Sequence, residues 1–297
     1  MDVEMREPTD GVVEVDGGEL AVAVWPATDA PVVLAVHGIT ASSRSFLALA
    51  RALPELRIVA PDLRGRARSN SLPGSGLQQH AEDLRVVLER IGADRVTLVG
   101  HSMGAFIATL LAAAEPERVA SVVLVDGGFP LAVPPGVDVR DPRPMLGPVF
   151  ERLTRVFGSR DAYREYWRQA PAFARPGDWT EEVEAYIQYD LQPVDGGFRP
   201  SADPDAVAAD QAQLYGSPFH LAALRSLQQP VTFLRAPRGL QDEPPGLYAP
   251  DLVPAFTGLV PQLEVLEVPD VNHYTVLMTS PGVEQVADVV RTATKES

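Results

Sequence analysis

The chain contains no cysteine. Disulfide bridges and thiolate metal sites are thereby excluded, and a disulfide-stapled secreted scaffold with them, so an intracellular protein fits best. Positive charge is also scarce: 25 Lys and Arg face 40 Asp and Glu, a formal net charge of -15 at pH 7. Phosphate backbones and anionic lipids are bound by clustered cations, so neither nucleic acid nor a membrane surface is an expected partner. No stretch reaches the roughly 18 consecutive apolar residues that a membrane span requires. Segment 1–10 carries Asp2, Glu4, Glu7 and Asp10 in place of the basic-then-apolar layout of a signal peptide. These absences together point to the cytoplasm. No internal repeat is visible either.

What is present is a globular composition, 45% hydrophobic and 22% charged over 297 residues. That length suits a single α/β unit carrying one large insertion. Eight short apolar, β-branched runs fall at 12–15, 20–24, 32–36, 57–60, 96–99, 122–125, 231–234 and 263–268. Between them, 44–53, 77–91, 102–114 and 281–294 have helical apolar spacing, with Pro116 just beyond the third. Strands alternating with helices predict a mostly parallel sheet covered on both faces.

The rhythm breaks at 129–229, which predicts an inserted cap with a return helix and leaves 1–128 and 230–297 as the core. The cap holds Phe150, Phe157, Tyr163, Tyr166, Trp167, Phe173, Trp179, Tyr186, Tyr189 and Phe198. Such rings can roof an apolar pocket, although a small subdomain also needs a core of its own, and roughly half are expected to serve that purpose. Proline-rich tracts at 130–148 and 200–204 read as irregular stems.

Gly100-His101-Ser102-Met103-Gly104 joins the run 96–99 to the helix 102–114. A Gly-x-Ser-x-Gly sequence between strand and helix builds a tight, strained turn that lifts the serine Oγ above the sheet edge, beside the amide-rich start of the helix. Val36-His37-Gly38 follows the third strand and Pro61-Asp62-Leu63-Arg64-Gly65 the fourth. With these landmarks the chain resembles the α/β-hydrolase superfamily from about Val12 to Thr294; its cap resembles no particular member.

The resemblance implies that Ser102 is a nucleophile and that the N–H groups of Ile39 and Met103 form an oxyanion hole. Asp62 and Arg64 are expected only to brace loops. Among five histidines, His37 belongs to the oxyanion turn, His101 is expected to point away from the nucleophile, His80 opens a helix and His220 sits in the return helix. His273, in a loop between the last strand and the last helix, suits the general base in the family's order of Ser, acid, His.

Two aspartates compete for the acid. Asp126 ends the strand after the elbow and is followed by Gly127-Gly128; Asp242 lies at the superfamily's commoner position but after a longer approach, Arg235-Ala236-Pro237-Arg238-Gly239. The Asp126 placement resembles that of haloalkane dehalogenases and of fungal zearalenone-type lactone hydrolases, and Asp126 is favoured with Asp242 as the alternative.

These readings predict a serine hydrolase for a carboxylic ester or lactone of an apolar, aromatic or macrocyclic substrate, a zearalenone-like lactone among them. No metal or organic cofactor is implied. A serine nucleophile disfavours dehalogenase and epoxide-hydrolase chemistry, which uses an aspartate. The same triad also serves carbon–carbon bond hydrolysis, acyl transfer and perhydrolysis, and a hydrolase fold can act as a ligand receptor, as in strigolactone perception. A homo-oligomer is left open.

Overall fold

The computed structural model describes residues 7–133 and 135–295, so residues 1–6 of the acidic N-terminal segment and Pro134 of the first stem lie outside the described residues. Among the described residues ten strands form: β1 (Thr9–Val15), β2 (Gly18–Trp25), β3 (Val32–Val36), β4 (Arg57–Pro61), β5 (Val96–His101), β6 (Val119–Val125), β7 (Leu191–Val194), β8 (Gly197–Pro200), β9 (Val231–Arg235) and β10 (Leu263–Glu267). Eight of them make one sheet in the order β1-β2-β4-β3-β5-β6-β9-β10. From β4 to β10 all neighbours run parallel, while β1 and β2 are an antiparallel edge.

The central strands are apolar throughout because both faces are covered. Every residue of β3, β5 and β6 is buried. Helices Leu77–Ile91, Met103–Ala114 and Pro218–Ser226 pack on one face. Helices Leu47–Ala52 and Gly282–Lys295 pack on the other. No helix among the described residues is long and apolar enough to cross a membrane.

β6 pairs directly with β9, yet more than a hundred residues separate them in sequence. The helical cap emerges in this gap, after the sixth strand. It includes helices Arg160–Arg168, Glu181–Tyr189 and Pro204–Gln211, and the return helix Pro218–Ser226 settles against the core where Phe106 and His220 meet with ring centroids 4.7 Å apart. We propose 128/129 and 229/230 as the boundaries of this insertion.

One cap element escaped the sequence reading. β7 and β8 form a small antiparallel hairpin. Their four residues each include a proline and no β-branched run, so periodicity is silent. Asp195-Gly196-Gly197 was the available signal, with φ of +83° at Gly196 and +149° at Gly197.

The register of β5 against β6 positions the site. His101 pairs with Val125, so the next residues, Ser102 and Asp126, leave the sheet side by side. Their closeness demands a residue without a side chain at 127, since a Cβ there would overlap the Ser102 carbonyl oxygen and Cα. Gly104 meets the same limit against the Val36 carbonyl. Gly127→Ala is therefore expected to destabilise the protein by about 2 kcal/mol or more through overpacking, whereas Gly158→Ala, where a Cβ meets nothing within 4 Å, should be nearly neutral. Thermal unfolding of both variants checks this; equal melting temperatures would contradict the packing argument.

Candidate active site

Ser102 has φ 55° and ψ -124° as it leads into the helix Met103–Ala114. A non-glycine residue held there stores strain of order 1–3 kcal/mol, and here neighbouring bonds hold it: Ser102 N–H donates to Val125 O at 2.9 Å and Ala105 N–H to Ser102 O at 3.0 Å. Met103 opens the helix, so its N–H has no intrahelical acceptor.

The loop after β3 runs past the same hydroxyl. A Cβ placed on Gly38 would stand 3.1 Å from Ser102 Cβ and 3.5 Å from its Oγ. His37 locks this loop. Its Nε2 accepts from the Leu63 N–H at 2.9 Å, so the proton sits on Nδ1, which donates to Gly38 O at 2.8 Å. Ala41 N–H also donates to Gly38 O, at 3.1 Å. Because the peptide unit is planar and trans, fixing the Gly38 carbonyl fixes the Ile39 N–H in the opposite direction.

His273 reaches the site from the loop after β10. Its Nδ1 lies 2.6 Å from Asp126 Oδ2, with both side chains buried. The other oxygen, Asp126 Oδ1, accepts from the Ala236 N–H at 3.1 Å, which aims the carboxylate. Asn272, which the sequence did not single out, organises the loop: its Oδ1 accepts from Tyr274 and Thr275 N–H, both at 3.0 Å.

Asp242 is engaged by other groups. It forms a 2.7 Å ion pair with Arg238 and a longer one, 3.4 Å, with the cap residue Arg175, and accepts from Asn272 Nδ2 at 3.1 Å. Asn272 Nδ2 also donates to the cap carbonyl of Ala172 at 2.8 Å. The second aspartate thus ties the histidine loop to the cap. Asp62 and Arg64 brace loops as expected: Ser43 N–H donates to Asp62 at 2.8 Å, and Arg64 pairs with Asp83 at 2.6 Å.

His101 has a role that the sequence did not reveal. It lies with its ring centroid 4.7 Å from that of His273 and donates from Nε2 to the His273 carbonyl at 2.8 Å. Burial pushes its pKa down to about 3, and His37 likewise to about 3, so both rings are neutral supports. His220, whose ring nitrogens are buried without partners, is lowered to about 4, again by burial.

A cavity of about 220 Å³ opens over Ser102 and His273. Its walls include Leu131, Met145, Leu146, Val149, Leu214 and Leu240, with Tyr186, Tyr215 and Tyr274 as its aromatic part. The expected aromatic roof is mostly aliphatic. Phe157, Tyr163, Tyr166, Trp167, Phe173 and Trp179 pack edge-on or stacked against one another, forming the cap's own core. Aromatic content alone could not separate the two roles, because both bury rings.

A family model described as the alpha/beta hydrolase fold matches residues 31–162. The chain is 30% identical over 233 residues to the bifunctional esterase/perhydrolase of Acinetobacter calcoaceticus, spanning 75% of this chain and 79% of that protein. It belongs to the α/β-hydrolase superfamily and is a hydrolase by kinship. Among its particular relatives, the 2-(acetamidomethylene)succinate hydrolase of Mesorhizobium japonicum is 29% identical over 264 residues, 88% of this chain and 87% of that protein. A crystal structure of E-2-(acetamidomethylene)succinate hydrolase matches with a TM-score of 0.77 at 25% identity, over 97% of this chain and 99% of that one.

The lowered histidines set a pH dependence. Between their ordinary pKa of 6.5 and the native values near 3 to 4, the unfolded chain binds protons that the native chain refuses at His37, His101 and His220. Stability then falls as pH drops below about 6.5, by up to about 1.4 kcal/mol per pH unit for each group. The urea midpoint is expected to decrease from pH 7 to pH 5, less steeply in His220→Leu. Parallel profiles for the two proteins would contradict the buried neutral His220.

Proposed function

We propose that the protein is a serine carboxylic-ester hydrolase for compact apolar esters and small lactones. The observation that carries this reading is the 2.6 Å contact of His273 Nδ1 with the buried Asp126, with His273 and a strained Ser102 lining one cavity. With Nδ1 engaged, Nε2 is the nitrogen left to take the Ser102 proton as Oγ attacks the ester carbonyl. The N–H groups of Ile39 and Met103 stabilise the tetrahedral oxygen, each by about 3 kcal/mol. Collapse expels the alcohol, which takes the proton from His273. Water, deprotonated by the same base, then cleaves the acyl-enzyme.

The aliphatic walls favour an apolar substrate. Pockets for drug-sized ligands are roughly 300–1,000 Å³. A cavity of about 220 Å³ supports short acyl groups ahead of a macrocyclic lactone of the zearalenone kind. A second reading, perhydrolysis, is favoured by the Acinetobacter relative, whose name carries both activities. There hydrogen peroxide replaces water in attack on the acyl-enzyme, and peracid yield against hydrolysis separates the two.

Ser102→Ala is expected to lower kcat by about a million-fold with the fold intact. Asp126→Asn should lower it by about ten-thousand-fold, because an amide can hold the wrong imidazole tautomer, while Asp242→Asn should cost less than about tenfold. Steady-state kinetics on a p-nitrophenyl ester, with circular dichroism as the folding check, decides this. A crippled Asp242→Asn beside an active Asp126→Asn would reverse the assignment of the acid.

Chain length tests the substrate class. Each added methylene buried in the cavity is worth about 0.8 kcal/mol, so kcat/KM should rise about fourfold per carbon from acetate until the cavity is full. A steady fall from acetate onwards, or a preference for macrocyclic lactones over all short esters, would contradict the compact apolar pocket.

A further inference from the structure

The Ile39 loop is held on two successive peptide planes by different parts of the molecule. His37 and Ala41, both in the core, hold the Gly38 carbonyl. The next carbonyl, that of Ile39, accepts from Arg66 Nε at 2.9 Å. Arg66 follows β4, is fully buried, and also donates from Nη1 to Arg64 O at 2.9 Å. Its charge is matched from the cap: Nη1 lies 2.6 Å from Asp210 Oδ2, at the end of the helix Pro204–Gln211.

Asp210 is itself fixed. His80 Nε2 donates to Oδ2 at 2.9 Å and the Gly76 N–H donates to Oδ1. Burial alone would raise the Asp210 pKa, yet Arg66 and His80 hold it down at about 2, so it stays a carboxylate. Removing one member of a fully buried ion pair leaves the other charge uncompensated, which makes Arg66 move rather than remain in place. The same stretch touches the cap twice more. Asp203 N–H donates to Gly65 O at 2.8 Å, and Ala67 N–H to Ser201 Oγ at 3.0 Å.

We propose that Arg66 and Asp210 are positioning residues for acyl transfer, through which the seating of the cap holds the Ile39–Thr40 peptide and so keeps the loop that carries the Ile39 N–H in place against the tetrahedral oxygen. The inference rests on the esterase reading above. The core anchors orient the Ile39 N–H through the Gly38 carbonyl but constrain neither torsion of Ile39, whereas the Arg66 anchor on the next plane constrains both and keeps the loop from shifting. Only the transition state needs that alignment in full. A displaced donor therefore slows the chemical step with little effect on ground-state binding.

The test compares wild type with Asp210→Asn and Arg66→Lys, using a p-nitrophenyl butyrate assay and two inhibitors. A trifluoromethyl ketone adds Ser102 to give a tetrahedral oxyanion, and the matching secondary alcohol does not. The expected result is a fall in kcat of about 10-fold to 100-fold with KM within about threefold. Trifluoromethyl ketone affinity should weaken by a similar factor while alcohol affinity holds. His80→Gln, a milder pull on Asp210, should shift kcat and ketone affinity in the same direction by a smaller factor, and keeps the test open if either stronger variant fails to fold. Folded variants with unchanged kcat, or with both inhibitors weakened equally, would overturn the proposal. Ser102→Ala reports on the nucleophile and these variants on the loop, so the two readings fail separately.

Discussion

The pairing of β5 with β6 is the constraint on which the rest of the site depends. Because His101 stands opposite Val125, the chain turns out of both strands at the same level, at Ser102 and at Asp126. Both residues carry positive φ, 55° and 43°, and Gly127 closes against the Ser102 backbone. Two strained turns packed on one another can be held only by a sheet that is buried on both faces, which these central strands are. The carboxylate is thereby set on the rigid edge of the sheet rather than on a loop, a favourable place for a group that must orient an imidazole.

The third member of the proposed triad comes from a loop, and the loop is made rigid from several sides. Asp126 holds the His273 ring, His101 holds the His273 carbonyl, and Asn272 shapes the turn. Asp242 and Arg175 extend this support into the cap. A second link between cap and core runs through Asp210 and Arg66 to the opposite side of the cavity. The cap thus grips both flanks of Ser102, the histidine loop on one and the Ile39 loop on the other, in addition to closing the pocket from above.

Much of this was legible in the sequence because it is written in local patterns. Continuous apolar runs gave the buried strands, the glycines around Ser102 gave the elbow, and Gly127-Gly128 pointed to a tight turn at Asp126. The β7–β8 hairpin was missed because four-residue strands interrupted by Pro193 and Pro200 carry no period. The aromatic cap residues divide between roof and cap core in a way the sequence leaves open, because ring-on-ring packing and pocket lining draw on the same residue types, and only the fold separates them. The roles of His101, Asn272 and Arg66 depend on partners 172, 30 and 27 residues away in sequence, beyond the reach of any local pattern.

The account stands or falls on Ser102 as the activated nucleophile, and covalent capture tests it most directly. Purified protein treated with a fluorophosphonate should gain a single adduct by intact mass, mapped by peptide sequencing to Ser102 within Gly100–Gly104, at a rate that collapses in His273→Ala. An adduct on another residue, or labelling of Ser102 that proceeds at the wild-type rate without His273, would contradict the account.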